Sequence, residues 1–232
     1  MITPPHLRPG DTVGIVAPAG CLTAEEIMPA VEMIRSWGLH VVFGSHLFSR
    51  RNSFAGTDNQ RASDFQLMLD DPAIRAIICA RGGYGTIRII ERLDFEKFAG
   101  NPKWIVGYSD ITVLHACLQQ RVGVESIHGA MPRVARPHKP DLASFDSLRS
   151  VLFGKMKQVT FRPHRHNIPG NATGTLVGGN LSVLCSMAGT DLDTDTSGKI
   201  LFIEDLNEYL YHIDRMIMNR TFRPRNSMRA KA

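Results

Sequence analysis

Residues 104–112 combine types that could attack a carbonyl group: an apolar run leads into Gly107, Tyr108 and Ser109, and a helical pattern follows at once. A tight turn between a strand and a helix exposes a serine oxygen at the edge of a sheet, where the helix N-terminus favours negative charge. The common nucleophile motif of α/β-hydrolases has a second glycine where this chain has Ile111, so the segment is not that motif. The spacing leaves two interpretations open, a nucleophilic Ser109 or a Ser109 or Asp110 that only caps the helix.

A second segment, residues 79–85, is rich in glycine and follows an apolar strand; it reads Cys-Ala-Arg-Gly-Gly-Tyr-Gly. Backbone N–H groups in such a turn can point at an oxyanion or a phosphate. The dinucleotide-binding spacing G-x-G-x-x-G is absent, and so is the Gly-Lys-Ser/Thr of a P-loop. A plain tight turn is the alternative interpretation.

A third segment, residues 201–208, ends an apolar strand with the carboxylates Glu204, Asp205 and Glu208. A carboxylate there can orient a histidine, bind a metal or act as a base, whereas a solvated loop with helix-capping acids is the alternative. No histidine stands at metal-ligand spacing, so we expect neither a metal nor a cofactor. His128 follows a strand and could face a cleft, and His212 lies about one turn beyond Glu208, but no histidine is marked as a general base.

The rest of the first half alternates apolar strands with helices, which predicts an α/β fold with a parallel sheet covered on both faces. Such sheets place ligands at the carboxyl ends of their strands, where the first two segments lie. We predict strands over residues 12–17, 39–43, 76–80, 104–106 and 124–127, and helices over residues 24–37, 58–69, 87–93 and 111–118.

Prolines concentrate between residues 132 and 169, which indicates a connection between two units. We therefore predict an N-terminal domain over residues 1–132, a linker over 133–172 with a short helix near 145–152, and a smaller domain over 173–232. The second domain is expected to contain a glycine-rich turn at 176–180, a strand at 200–203 and a helix at 209–218. So short a unit has little room for a core of its own, so it is expected to be incomplete.

Composition excludes several classes of protein. The chain carries 27 basic and 22 acidic residues, but five of the basic residues lie in the tail 220–232, so the remainder is formally neutral and no nucleic-acid partner is expected. The four cysteines are far apart, which favours free thiols over a disulfide framework or a zinc site. No apolar run reaches the roughly 18 residues of a membrane span, and the absence of a leader pattern favours the cytoplasm.

Taken together, the segments resemble the LD-carboxypeptidase family over roughly residues 8–219. Several motifs in the same order and spacing are more specific than any one of them. The matching stretches are residues 17–18, 54–58 with Arg61, 80–85, 107–115, 128–131, 178–182 and 203–208, together with Tyr211, Asp214 and Arg215.

The resemblance implies a flavodoxin-like N-terminal domain joined to a smaller, β-rich C-terminal domain, with the site between them, in a cytoplasmic homodimer. It implies hydrolysis of the amide bond before the terminal D-alanine of murein peptides, without a metal. Ser109 matches the nucleophile, Glu204 the acid of a Ser-His-Glu triad, and the backbone N–H groups of Gly83 and Asp110 the oxyanion hole. Arg81 is positioned to bind the substrate's terminal carboxylate, although structural pairing with an acid is equally open; Gly82 and Tyr84 are its predicted neighbours in substrate binding.

The resemblance also implies a departure from the family. The family's triad histidine lies well beyond the glutamate, in a segment that nothing here matches, and residues 220–232 match no family segment. Unless another histidine takes its place, we expect impaired activity, since loss of a triad base costs about three to six orders of magnitude in rate. Two alternatives stay open: a non-catalytic protein that binds wall peptides, and an amide hydrolase acting on a peptide–nucleotide antibiotic.

Overall fold

A five-stranded parallel sheet forms the centre of the computed structural model, which describes residues 1–133, 141–156 and 158–222. Its strands lie in the order β2-β1-β3-β4-β5, and every pairing is parallel. This order is that of flavodoxin-like sheets, so the predicted fold class is confirmed. The strands are β1 Thr12–Val16, β2 His40–Phe43, β3 Ile74–Cys79, β4 Trp104–Gly107 and β5 Ile127–His128.

Helices cover both faces of the sheet. They are α1 Ala24–Ser36, α2 Asp58–Asp70, the short α3 Glu96–Gly100, α4 Thr112–Cys117 and α5 Leu142–Leu152. The N–H of Thr23 donates to Glu26 Oε2 at 2.9 Å, which satisfies an otherwise unpaired group at the start of α1. Successive side chains of β3 enter opposite layers: Ala76 and Ile78 pack with α1 and α5, whereas Ile77 and Cys79 pack with α2 and α4.

Two local predictions in this half were wrong. Residues 87–93 do not form an α-helix: most of them lie in two 3-10 turns, Thr86–Arg88 and Ile90–Arg92, and the backbone becomes extended at Leu93. The fifth strand begins at Ile127 rather than at residue 124, because Val124 forms a bridge with Ile2 instead.

Up to residue 222, the second unit contains two parallel strands and two helices: β6 Leu176–Asn180, α6 Leu181–Ser186, β7 Ile200–Glu204 and α7 Leu210–Thr221. The glycine-rich turn predicted at 176–180 is therefore wrong, because these residues form a strand. A Cβ at Gly178 would lie 1.8 Å from the carbonyl oxygen of Phe202 in β7. The glycines thus permit a close approach between strands rather than a change of direction.

The second unit packs on α4, the helix that follows Ser109. Leu184 of α6 and Met187 join the same apolar cluster as Val113 and Leu114 of α4. Across the same contact, the N–H of Asn180 donates to Thr112 Oγ1 at 3.0 Å. The division at residues 132 and 172 stays a prediction, and the predicted basic tail lies, from residue 223 on, outside the described residues.

All four cysteines are free thiols, as expected, and Cys79 and Cys117 are buried. Burial raises the pKa of the Cys79 thiol, and it raises that of Cys117 to about 11, so neither is a reactive thiolate at neutral pH. Within residues 1–133, 141–156 and 158–222, no helix has the length and apolar composition that crossing a membrane requires.

Candidate active site

Ser109 occupies a sharp turn at the carboxyl end of β4. Its φ is +61°, in the left-handed region that residues other than glycine rarely adopt. Gly107 makes the turn possible, because a Cβ there would lie 2.8 Å from Cγ1 of Ile111. The Ser109 side chain is half-buried rather than covered, and within the described ranges no side-chain hydrogen bond caps the 3-10 turn Ser109–Ile111 or α4. This geometry meets the requirements of the predicted nucleophile elbow, and the role of Ser109 stays a prediction.

The glycine loop after β3 lies directly against this turn. A Cβ at Gly82 would be 3.2 Å from Ser109 Oγ, so only a residue without a side chain leaves the hydroxyl free on that side. Gly83 has a φ of +114° and packs against Gly20 in the loop after β1, whose N–H donates to the carbonyl of Gly82 at 3.2 Å. The structure thus brings the predicted loop and the predicted nucleophile together.

The carboxyl group of Asp110 holds the far end of the glycine loop. It is buried and accepts the N–H of Thr86 at 2.8 Å, and burial raises its pKa. The side chain is therefore a structural tie between the loop and the elbow. The backbone N–H groups of Asp110 and Gly83 remain predicted oxyanion donors.

Arg61 is a second residue whose side chain holds the loops of the site in place. The residue pattern did not predict this role, although the segment of Arg61 matches the family. Its guanidinium is buried and donates to the carbonyls of Pro18 and Gly85, the latter at 2.9 Å, and to the carboxylate of Asp58. It therefore fastens the loops after β1 and β3 to α2. The sequence alone does not distinguish a buried arginine on a helix from a solvated one, because burial depends on contacts with distant parts of the chain.

Arg81 and Tyr84 are the residues of the glycine loop with large side chains. Nη1 of Arg81 donates to the carbonyl of Cys21, so part of its hydrogen-bonding capacity is structural and serves a backbone oxygen rather than an acid. Tyr84 is exposed, and its ring lies 5.9 Å from that of Phe54. Their substrate-binding roles stay predictions.

Glu204 ends β7, directly opposite Asn180 of β6, and reaches the elbow from the second unit. Burial and the charge of Asp205 raise the pKa of its carboxyl group, while the amide of Asn180 and the backbone N–H of Ser109 act in the opposite direction. Because the Ser109 N–H affects the pKa of Glu204, the Glu204 carboxylate lies beside Ser109. Its Oε1 atom is buried and has no hydrogen-bond partner in the described part of the chain.

The other two carboxylates of the third segment have structural partners. Asp205 accepts the N–H of Ser182 at 2.9 Å and the side-chain amide of Asn180 at 3.1 Å, so it joins the end of β7 to the start of α6. Glu208 pairs with His212 at 2.8 Å. Of the three acids, Glu204 is thus the one left for chemistry, and Asp205 is the helix-capping acid of the alternative interpretation.

Two histidines lie near the elbow and differ in their surroundings. His115 is fully engaged: its ring contacts the carbonyl of Gly107 at 2.9 Å and the hydroxyl of Ser126 at 2.8 Å, and burial lowers its pKa to about 4. Because a carbonyl only accepts, Nε2 carries the proton. His128 instead faces Glu204, with 3.8 Å between Nε2 and Oε1, and its ring lies 5.0 Å from that of Phe202.

A polar cavity of about 410 Å³ lies away from the elbow, at the start of α2. Two of its lining arginines are already engaged, Arg88 with Asp58 and Arg92 with Asn59, and it holds no serine, cysteine or histidine. This cavity therefore offers no candidate nucleophile, and the predicted site stays at the edge of the sheet.

Among the described residues, no group of three or more His, Cys, Asp or Glu side chains could hold a metal ion.

Comparisons with known proteins match both units. A family profile described as the LD-carboxypeptidase N-terminal domain matches residues 13–129, and one described as the LD-carboxypeptidase C-terminal domain matches residues 173–223. The "Probable murein peptide carboxypeptidase" of Bacillus subtilis (strain 168) is 39% identical over 219 residues, which cover 92% of this chain and 68% of the relative.

Solved structures share the fold. The crystal structure of muramoyltetrapeptide carboxypeptidase from Oxalobacter formigenes is 30% identical, with a TM-score of 0.78 over 90% of this chain and 71% of that one. The microcin C7 self immunity protein, in complex with aspartyl sulfamoyl adenosine, is 24% identical, with a TM-score of 0.82 over 96% of this chain and 77% of that one. At that identity the second likeness concerns the fold alone.

Proposed function

Because this chain belongs to the LD-carboxypeptidase family, we propose that it is a serine carboxypeptidase acting on murein peptides. The bond cleaved is the amide between an L-configured centre and a terminal D-alanine. One observation carries the proposal: a half-buried serine in a left-handed turn lies beside both a glycine loop and a carboxylate with one unpaired oxygen. The name of the Oxalobacter relative supports a tetrapeptide substrate.

In the proposed reaction, Ser109 Oγ attacks the carbonyl carbon while a base takes its proton. The oxyanion that forms accepts hydrogen bonds from the N–H groups of Gly83 and Asp110. Collapse of the tetrahedral intermediate breaks the C–N bond, the D-alanine amine leaves with the proton, and water then hydrolyses the acyl-enzyme. Glu204 stabilises the positive charge that develops on the base.

Slow turnover is part of the proposal. Among the described residues no histidine lies within hydrogen-bond distance of Glu204, since Nε2 of His128 is 3.8 Å from Oε1. Arg81, with Gly82 and Tyr84, is proposed to receive the terminal carboxylate of the substrate. A cytoplasmic role in recycling wall peptides and a homodimeric state rest on the family resemblance alone.

The test is release of D-alanine from a murein tetrapeptide, measured for the natural sequence and for two serine variants. Ser109→Ala is expected to lower kcat/KM to the background rate; because triad residues act as a unit, the size of the decrease is set by how far the turnover of the natural sequence exceeds that background. The matched control is Ser186→Ala, because Ser186 is exposed on α6 and bonds only locally to the carbonyl of Val183. Equal rates for Ser109→Ala and the natural sequence would reject the nucleophile.

A calorimetric titration separates this proposal from a binding protein. Saturable binding of the tetrapeptide with no D-alanine release would support the non-catalytic alternative, and the absence of both would exclude either role. The third candidate, an amide hydrolase acting on a peptide–nucleotide antibiotic, has only a shared fold in its favour. Preferential cleavage of an aspartyl sulfamoyl adenosine over the tetrapeptide would establish it.

A further inference from the structure

Two side chains at the elbow each have one buried polar atom without a partner. These atoms are Oε1 of Glu204 and Nδ1 of His128, which are among the four such side-chain atoms of the described residues. Leaving a buried polar atom unpaired costs free energy of the order of 1–3 kcal/mol. The atom of His128 that faces Glu204 Oε1 is Nε2, at 3.8 Å. Since β7 and β5 belong to different sheets, the unpaired Oε1 atom points to a hydrogen bond between the two units.

The other neighbouring groups do not supply a donor to Glu204 Oε1. The amide of Asn180 and the N–H of Ser109 stabilise the charged carboxylate, yet Oε1 has no hydrogen-bond partner among the described residues. Around Glu204, Asp205 is bonded to Ser182 and Asn180, and it is an acceptor like Glu204 itself. Around His128, both ring nitrogens of His115 are occupied.

The remaining groups around His128 pack against its ring or carry no charge. Tyr108 and Phe202 place their rings 6.1 and 5.0 Å from it, and His115 lies at 5.9 Å. His128 is therefore the donor that the described residues offer to Glu204 Oε1.

We propose that His128 is the hydrogen-bond donor of Glu204 and that it orients this carboxylate beside Ser109. The assignment deepens the proposed function, on which its catalytic meaning rests. His128 is a positioning residue, because it acts on the serine through Glu204. The separation of 3.8 Å between Nε2 and Oε1 needs to shorten by only about 1 Å to become a normal hydrogen bond.

The protonation state of His128 allows it to donate a hydrogen bond as a neutral ring. Burial lowers the pKa of His128, so at neutral pH the ring carries one proton, which the contact places on Nε2. A donated hydrogen bond stabilises the ionised form of a buried carboxyl group. The contact therefore keeps Glu204 charged, and a charged, fixed carboxylate is what can stabilise a cationic base during attack by Ser109.

The test compares three variants by ¹³C NMR of the glutamate side-chain carboxyl groups, with the Glu204 signal assigned from Glu204→Gln. His128→Phe keeps an aromatic ring against Phe202 but removes the donor. His128→Gln offers an amide N–H at a similar reach. The matched control is His212→Phe, which breaks a histidine–glutamate pair that lies wholly within the second unit, between His212 and Glu208.

We expect His128→Phe to raise the titration midpoint of Glu204 by about one pH unit, and His128→Gln to restore most of the shift. The His212 control leaves the Glu204 midpoint unchanged. In the tetrapeptide assay, the acidic limb of the kcat/KM profile moves to higher pH with His128→Phe alone. If His128→Phe does not fold, the reverse measurement decides: Glu204→Gln should lower the midpoint of the His128 ring.

The outcomes separate this inference from the proposed function. An unchanged Glu204 midpoint in His128→Phe, or an unchanged His128 midpoint in Glu204→Gln, overturns the pairing even if Ser109 cleaves the peptide. If no D-alanine is released but the midpoints move as expected, the pairing stands and the carboxypeptidase proposal fails.

Discussion

Ser109 combines a reactive side chain with a backbone conformation that costs about 1–3 kcal/mol for a non-glycine residue. Its surroundings hold it there: Gly107 leaves room for Ile111, and the carboxylate of Asp110 binds the adjacent loop. The residue types and the family resemblance were enough to single out Ser109 and Glu204. The structural use of Asp110 was not predictable, because it depends on a contact with Thr86, 24 positions earlier in the chain.

Gly82→Ala is expected to impair catalysis without unfolding the protein. The added methyl group would lie 3.2 Å from Ser109 Oγ, and Gly82 has no positive φ to strain. We expect kcat/KM for the tetrapeptide to fall about tenfold or more, with a nearly unchanged melting temperature. Gly100→Ala, at a position with no atom within 4 Å of the added group, is the control. Full activity in Gly82→Ala would mean that the loop does not border the reacting hydroxyl.

Arg81→Met tests recognition of the substrate's terminal carboxylate. Removing a hydrogen-bonded arginine–carboxylate pair from the bound state raises KM, and we expect an increase of about tenfold with a smaller effect on kcat. The control is Arg92→Met, because Arg92 binds Asn59 at the start of α2. A KM equal to that of the natural sequence would assign Arg81 only to its hydrogen bond with the Cys21 carbonyl.

The elements differ in how well sequence predicts them. The strands β1, β3 and β4 are each dominated by an apolar run, so their pattern identifies them and the parallel sheet they form. β6 is different, because two adjacent glycines indicate a turn when only local preference is considered. Glycine is needed at these two positions because Phe202 lies too close to residue 178, and Thr112 too close to residue 179, for a side chain to fit. These contacts are with distant residues, so the local sequence pattern does not show them.

Gly178→Ala is expected to separate β6 from β7 and displace Glu204. Its added Cβ would lie 1.8 Å from the Phe202 carbonyl oxygen, so the strand pairing must shift. Gly198→Ala is a matched control: it also has a positive φ, +66°, but no atom lies within 4 Å of the added group. We expect Gly178→Ala to lower the free energy of unfolding by at least about 2 kcal/mol more than the control does, as measured by urea denaturation. Equal decreases would show that backbone strain alone matters there.

At the scale of the molecule, the candidate site exists only because the second unit packs on α4. Ser109 belongs to the loop after β4, whereas Glu204 comes from β7, and the hydrogen bond of Asn180 with Thr112 joins the two. The sequence and the family resemblance predicted both units, but not the residues at their contact. His128 shows why: its position after β5 was visible, yet its proximity to Glu204 depends on how the two sheets are oriented.

The buried His115 should make the stability of the whole fold depend on pH. Its pKa falls from about 6.5 in an unfolded chain to about 4 in the folded protein, so the unfolded state binds the proton more readily. The contribution of the neutral His115 ring to the free energy of unfolding is fully present above pH ~6.5. It decreases by roughly 3 kcal/mol in total as the pH falls toward ~4.

Urea denaturation between pH 4.5 and 7.5 measures this slope. His115→Gln should be less stable at neutral pH but lack this part of the slope, whereas His40→Gln, at an exposed position on β2, should retain it. A slope equally steep in His115→Gln would contradict the buried, neutral state of this ring.

The most direct test of the assigned chemistry is covalent capture of the nucleophile. A fluorophosphonate reacts with a serine hydroxyl that has been activated beside a base and oxyanion donors, and mass spectrometry of the digested protein locates the adduct. We predict a single adduct on Ser109, slowed strongly by Glu204→Gln and unaffected by Ser186→Ala. No adduct, or an adduct on another residue with Ser109 unmodified, would contradict the assignment of Ser109 as the nucleophile.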